Sequence, residues 1–147
     1  DCIESHIIED VFSASCRRLK DEKGEYLQVY NCYDLHLHVP EGAVPKDGPS
    51  AGVALVTTLV SLLSKKAVPS DISMTGEITL RGKILPIGGL REKVIGSKRA
   101  GIKKIFVPQK NKSDIDELAE ELKEGLQFIY VDEYFDIYNM VFKNDRK

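Results

Sequence analysis

An α+β domain is what this sequence predicts, and three stretches carry the prediction. Asp34-Leu35-His36-Leu37-His38-Val39-Pro40 alternates strictly, with Leu35, Leu37 and Val39 on one face, the pattern of a half-buried strand. Ala51 to Ser64 is apolar nearly all round and too long for an ordinary strand, so it reads as a buried helix. Ile72 to Leu80, the turn Arg81-Gly82, and Lys83 to Ile87 read as a hairpin. Helix and strand mixed in this way, in a chain of 147 residues that is 42% apolar, describe one compact domain with a core of its own.

From the N-terminus, Ile8, Val11, Phe12 and Leu19 fall near helical spacing, predicting a helix over Ser5–Leu19 that Asp21-Glu22-Lys23-Gly24 ends. Tyr26 to Tyr30 fits a strand or a loop equally well. After the alternating strand and the buried helix, Pro86 places the second hairpin strand at an edge or ends it there. Gly88-Gly89 breaks the chain before a helix over Leu90–Ala100, stopped at Gly101. Ile105–Pro108 is a short buried strand. Asn111–Lys123 follows as a surface helix, with Ser113 as candidate cap and Gly125 just past its end. Phe128–Val131 is a last strand and Glu133–Phe142 a closing helix. The chain contains no repeat, low-complexity tract or long linker.

Composition excludes several function classes. Twenty-one basic against 23 acidic residues give a net charge of -2, with no basic block, which argues against nucleic acid as the main partner. No apolar run approaches the length of about 20 residues that spans a bilayer, and the N-terminus does not read as a signal peptide. The three cysteines, Cys2, Cys16 and Cys32, lack a paired spacing and read as free thiols.

The chemistry centres on Pro45-Lys46-Asp47-Gly48-Pro49-Ser50-Ala51-Gly52. Ser50 stands in a rigid turn ahead of the buried helix, with Gly48, Ala51 and Gly52 letting another backbone approach closely. Serine in that place has two readings, helix cap or nucleophile. A nucleophile needs a base. Gly48-Pro49-Ser50-Ala51-Gly52 fits the elbow of α/β-hydrolases, but that family places its acid and histidine after the serine, and here His6, His36 and His38 all precede it. A triad of His36 or His38 with Asp47 is left as a minor option.

Lysine is the other route. On the helix from Leu90, Lys93 shares a stripe with Leu90, Val94, Ser97 and Ala100, while Arg91, Glu92, Lys98 and Arg99 point elsewhere. It is a charged group on the inward face of its helix, where it either snorkels to water or serves as a base. His36 and His38 with Asp34 and Cys32 make a weak metal constellation, since alternate strand residues stand about 6.6 Å apart. No metal is assigned. Gly76 to Lys83 has the wrong spacing for a phosphate loop, so the domain itself carries no cofactor.

Five blocks taken together resemble the proteolytic domain of the ATP-dependent Lon proteases. They are His36 to Ala43, Pro45 to Gly52, Met74-Thr75-Gly76-Glu77, Gly82 to Leu90, and Glu92-Lys93 with Lys98 to Gly101, and the resemblance runs from Leu35 to Phe142. It implies a serine endopeptidase in which Ser50 attacks the peptide carbonyl and Lys93 is its general base. It further implies that Thr75 hydrogen-bonds the lysine and that backbone N–H groups around Asp47 to Ser50 stabilise the oxyanion. Gly48, Pro49, Ala51 and Gly52 would shape that turn, and Asp47, Glu77, His36 and His38 would support the site. In that family an N-terminal substrate-binding region and an AAA+ module using ATP and magnesium precede this domain. The whole assembles as a hexamer that threads unfolded polypeptide, in bacterial cytoplasm or mitochondrial matrix. Against that pattern residues 1–147 correspond to the proteolytic domain alone, trimmed of its opening β segment. The rival reading is a docking module that kept the fold without the activity.

Overall fold

The computed structural model describes His36 and residues 48–143. The expected Ser5–Leu19 helix, the Tyr26–Tyr30 segment, the Asp34–Pro40 strand other than His36, and the candidate site residues His38 and Asp47 lie outside the described residues. Within them the mixed α+β expectation holds. Three parallel strands, β1 (Ile72–Met74), β4 (Lys104–Pro108) and β5 (Gln127–Val131), form a sheet in the order β1-β4-β5. Two short antiparallel strands, β2 (Glu77–Ile78) and β3 (Ile84–Leu85), make a separate ladder. The helices are α1 (Gly52–Ser64), α2 (Leu90–Arg99), α3 (Lys112–Asp116), α4 (Glu120–Lys123) and α5 (Tyr134–Tyr138), the last running into a π-helical turn over Asn139–Lys143.

Strand periodicity sets the layers. In β4, Phe106 faces a core built from Val53, Val56, Leu59 and Val60 of α1 with Val131, Tyr134, Ile137 and Phe142. Its neighbours Ile105 and Val107 face the opposite core, with Leu90 and Val94 of α2 and Ile115 of α3. Both faces of the parallel sheet are therefore covered, as a crossover-connected sheet requires. The sequence expectation of a helix apolar all round needs one adjustment. Thr58 and Leu62 of α1 are exposed, Leu62 by 65%, so α1 packs one broad face and leaves a solvent face.

The hairpin reading is corrected in part. Ile72 to Leu80 is two strands, broken at Thr75-Gly76. The first half pairs with β4 and only Glu77–Ile78 pairs with β3, where Pro86 ends the ladder as expected. The cause is local. Thr75 N–H donates to Phe106 O at 3.1 Å and Gly76 N–H to Ser50 O at 3.0 Å, so the chain swaps partners there. The surface helix expected over Asn111–Lys123 is likewise broken, into a 3-10 turn (Gln109–Asn111), α3 and α4. Ser113 is not its cap but lies inside α3. Gly125 just past α4 has φ 79, the left-handed stop its position predicted.

Helix α2 ends as expected, with Gly101 at φ 73 and its N–H donating to Lys98 O at 3.1 Å. Its one interior glycine, Gly96, is exposed, and a Cβ there would meet nothing within 4 Å. Gly96→Ala should raise stability by about 0.5–1 kcal/mol, because alanine forgoes glycine's unfolded-state entropy without a clash. Urea unfolding of the two proteins measures the difference, and an unchanged midpoint would count against it. On the α2 face of the sheet, burial pushes the Tyr130 phenol above its ordinary value, with Asp116 adding to the rise and Lys123 opposing it.

Candidate active site

Ser50 sits in a 3-10 turn, Pro49–Ala51, immediately ahead of α1. Pro49 presets the first residue of that turn, and Gly48 before it holds φ 135, a value open to glycine. The cap reading of Ser50 falls here. The N-cap of α1 is Ala51, and neither the turn nor the helix has a side-chain cap bond. The Ser50 side chain is left for other work, and it is half-buried.

Its main-chain carbonyl is held from two sides. Gly76 N–H donates to Ser50 O at 3.0 Å, and the Thr75 hydroxyl donates to the same oxygen at 3.1 Å. In return Val53 N–H donates to Gly76 O at 3.2 Å. Close approach makes this lacing possible. A Cβ on Gly52 would stand 3.0 Å from Ile78 Cγ2 and 3.4 Å from Ile78 N, so a larger residue would push the start of α1 off β2. The small-residue turn read from sequence thus serves at Gly52 to seat α1 against the segment leaving β1.

Lys93 arrives from the first turn of α2. Leu90 and Val94 on its stripe are buried in the second core, 6% and 1% exposed, and Lys93 itself is half-buried. Its Nζ donates to Ser50 Oγ at 3.1 Å, across 43 positions of chain. Candidate nucleophile and candidate base are thereby in direct hydrogen-bond contact, the geometry general base catalysis needs. When the amine is charged it donates to Oγ. Once it loses a proton, the same contact can turn round and its lone pair can accept the hydroxyl hydrogen.

Thr75 is 6% exposed at the C-terminal end of β1. The hydrogen bond expected from it to the lysine is not found among the described residues; its hydroxyl goes to the Ser50 carbonyl instead. Its influence therefore reaches the nucleophile through the backbone rather than the amine directly. Glu77 lies half-buried on β2, its backbone paired opposite Leu85. His36 is exposed. Ala51 is exposed in the turn beside Ser50, and Pro49 and Gly48 are exposed ahead of it.

Sequence reading missed one residue that bears on this arrangement. Asn111 is 3% exposed and hydrogen-bonds both backbone groups of Ile87, in the loop that leads into α2. A polar residue in a predicted surface helix gives no local signal of such a contact, since its partner is 24 residues away.

Comparison with known proteins agrees with the geometry. The family described as Lon protease (S16) C-terminal proteolytic domain matches residues 7–144. Lon protease of Flavobacterium johnsoniae is 58% identical over 114 residues, covering 78% of this chain and 14% of that protein. Lon protease homolog 1, mitochondrial, of Arabidopsis thaliana is 50% identical over 131 residues, 89% of this chain and 14% of that protein. Lon protease 1 of Bacillus subtilis is 53% identical over 113 residues, 77% of this chain and 15% of that protein. The chain thus spans about one seventh of the length of these relatives, 14 to 15%. With the family match running over residues 7–144 and relatives at 50 to 58% identity, the chain belongs to the Lon protease C-terminal proteolytic domain family.

Proposed function

We propose that this domain is a serine endopeptidase working through a Ser50–Lys93 dyad. The observation that carries the reading is the 3.1 Å contact between Lys93 Nζ and Ser50 Oγ. As Ser50 Oγ attacks a peptide carbonyl, the neutral Lys93 amine takes the hydroxyl proton. The tetrahedral oxyanion forms beside the turn that precedes α1. Gly52 N–H is engaged with Pro49 O and Val53 N–H with Gly76 O, and the proposal takes its oxyanion donors from backbone N–H groups of the turn around Asp47 to Ser50. Lys93 then returns the proton to the leaving amine, giving an acyl-enzyme at Ser50. A water, deprotonated by the same amine, hydrolyses the ester and restores the hydroxyl. Thr75 and Gly76 hold the Ser50 carbonyl, fixing the backbone from which Oγ projects.

At the level of the whole protein, the proposal is an ATP-dependent Lon protease. An AAA+ module using ATP and magnesium would deliver unfolded polypeptide to a homo-hexameric chamber lined by this domain. No role for nucleic acid or membrane is part of the proposal. Among the described residues no helix is long and apolar enough to cross a membrane. The relatives include bacterial and mitochondrial proteins, in keeping with a bacterial cytoplasm or a mitochondrial matrix.

A fluorophosphonate, which reacts only with an activated serine, tests the dyad in the full-length protein. The label is expected on the peptide containing Ser50, absent in Ser50→Ala and slowed by about 10²- to 10⁴-fold in Lys93→Ala. Unlabelled Ser50 in a preparation that degrades unfolded polypeptide would overturn the reading.

A further inference from the structure

Asn111 is buried, carries no charge and lies on neither element that bears the dyad, yet its amide is fully engaged. Ile87 N–H donates to Asn111 Oδ1 at 3.0 Å, and Asn111 Nδ2 donates to Ile87 O at 2.9 Å and to Asp114 Oδ2 at 2.6 Å. The amide orientation is fixed by its partners. Turned over, it would face an N–H with an N–H and two oxygens with an oxygen. The side chain thus does for Ile87 what a neighbouring strand does, taking both backbone groups at once.

Ile87 stands at a sensitive place. The β3 ladder ends at Leu85, Gly88 and Gly89 are exposed, and Gly89 holds φ 67 as the N-cap of α2 without a side-chain cap bond. Between the end of β3 and the first turn of α2, the Asn111 amide is the polar anchor of the loop among the described residues. Lys93 follows one turn later. Whatever fixes Ile87 fixes where α2 begins, and so where Nζ meets Ser50 Oγ.

We propose that Asn111 is a positioning residue for the Ser50–Lys93 pair, clamping the Ile87 backbone so that α2 starts in the register that brings the amine to the hydroxyl. The inference rests on the dyad reading above. A hydrogen-bonded pair of reacting groups is sensitive to displacement, and a misplacement of about 1 Å from a distant change can cost roughly 100-fold in rate. Asp114 orients the amide from the far side and contributes no bond to Ile87.

The experiment measures kcat and KM for a fluorogenic peptide in the full-length protease carrying Asn111→Ala, Asn111→Asp or Asp114→Ala, well below each variant's melting transition. Asn111→Ala is expected to lower kcat by about 10- to 100-fold with KM within about twofold of the parent. Asn111→Asp keeps an acceptor for Ile87 N–H but sets a carboxylate oxygen against Ile87 O and Asp114 Oδ2, so it should lower kcat at least as far as Asn111→Ala. Asp114→Ala leaves both Ile87 bonds in place and should stay close to the parent. A folded Asn111→Ala protein with parental kcat overturns the proposal, and so does a loss that vanishes once the temperature is lowered far enough to fold the variant fully. Where Asn111→Ala fails to fold, hydrogen exchange of the unmutated protein decides. The Ile87 amide is expected to be protected, and exchange at the rate of an open loop refutes the clamp. Ser50→Ala and Lys93→Ala run alongside separate the two claims. If they keep cleaving peptide the dyad itself fails, whereas if they are dead and Asn111→Ala is unimpaired only the positioning role fails.

Discussion

Lys93→Ala in the full-length protein is expected to lower peptide cleavage by about 10²- to 10⁴-fold, and Ser50→Ala to lower it further still, while ATP hydrolysis persists in both. The ground is the direct Nζ to Oγ contact at 3.1 Å. A serine hydroxyl is a weak nucleophile until a base removes its proton. In the proposed dyad the two residues act as one unit, and losses within such a unit do not add. The double variant should be no slower than Ser50→Ala alone, a non-additivity that single-site measurements would not reveal. Residual proteolysis above about a tenth of the parent rate in either single variant would dismantle the dyad.

Lys93→Arg sharpens the same expectation. Arginine keeps a cation beside Ser50 but stays protonated at any working pH, so it can hydrogen-bond the hydroxyl and cannot accept its proton. If the lysine served only as a fixed positive charge, arginine would retain much of the rate. As a base it should retain almost none.

Much of this site was legible in the sequence because its signals are local. The helix after Ser50 follows from a long, mostly apolar run, and the inward place of Lys93 follows from Leu90 and Val94 on its stripe, both buried in the fold. What periodicity could not show was set by partners far along the chain. Ile72 to Leu80 alternates as one strand would, yet Thr75 and Gly76 are claimed by Phe106 and Ser50, which ends one sheet and starts another. The Asn111–Lys123 helix breaks for the same reason at its start. Asn111, its expected first residue, turns its side chain to Ile87 across 24 positions instead of joining a continuous helix. Ser50 was ambiguous because a cap and a nucleophile ask for the same residue at the same place; Ala51 as the N-cap and the lack of a side-chain cap bond remove the first, and Lys93 Nζ at 3.1 Å from the hydroxyl favours the second.

Gly76→Ala is the substitution outside the dyad with the largest expected effect. Gly76 is buried at φ 156, and a Cβ there would stand 2.7 Å from Ile84 Cγ2 and 3.0 Å from Val53 Cγ2. Neither neighbour can withdraw into solvent, since Ile84 is 2% and Val53 0% exposed. Overpacking of this kind costs about 1–3 kcal/mol and the backbone strain about 1–3 kcal/mol more, so a loss of roughly 2–6 kcal/mol is expected in urea unfolding. Catalysis should suffer as well, because the same glycine donates to the Ser50 carbonyl and accepts from Val53 N–H. A second change divides the causes. Ile84→Leu removes the Cγ2 branch that the new methyl would strike, so Gly76→Ala with Ile84→Leu should recover part of the stability and leave the backbone strain in place. A Gly76→Ala protein as stable and as active as its parent would mean that β2 can move away from α1 freely. The carbonyl lacing could not then be what holds Ser50 in front of Lys93.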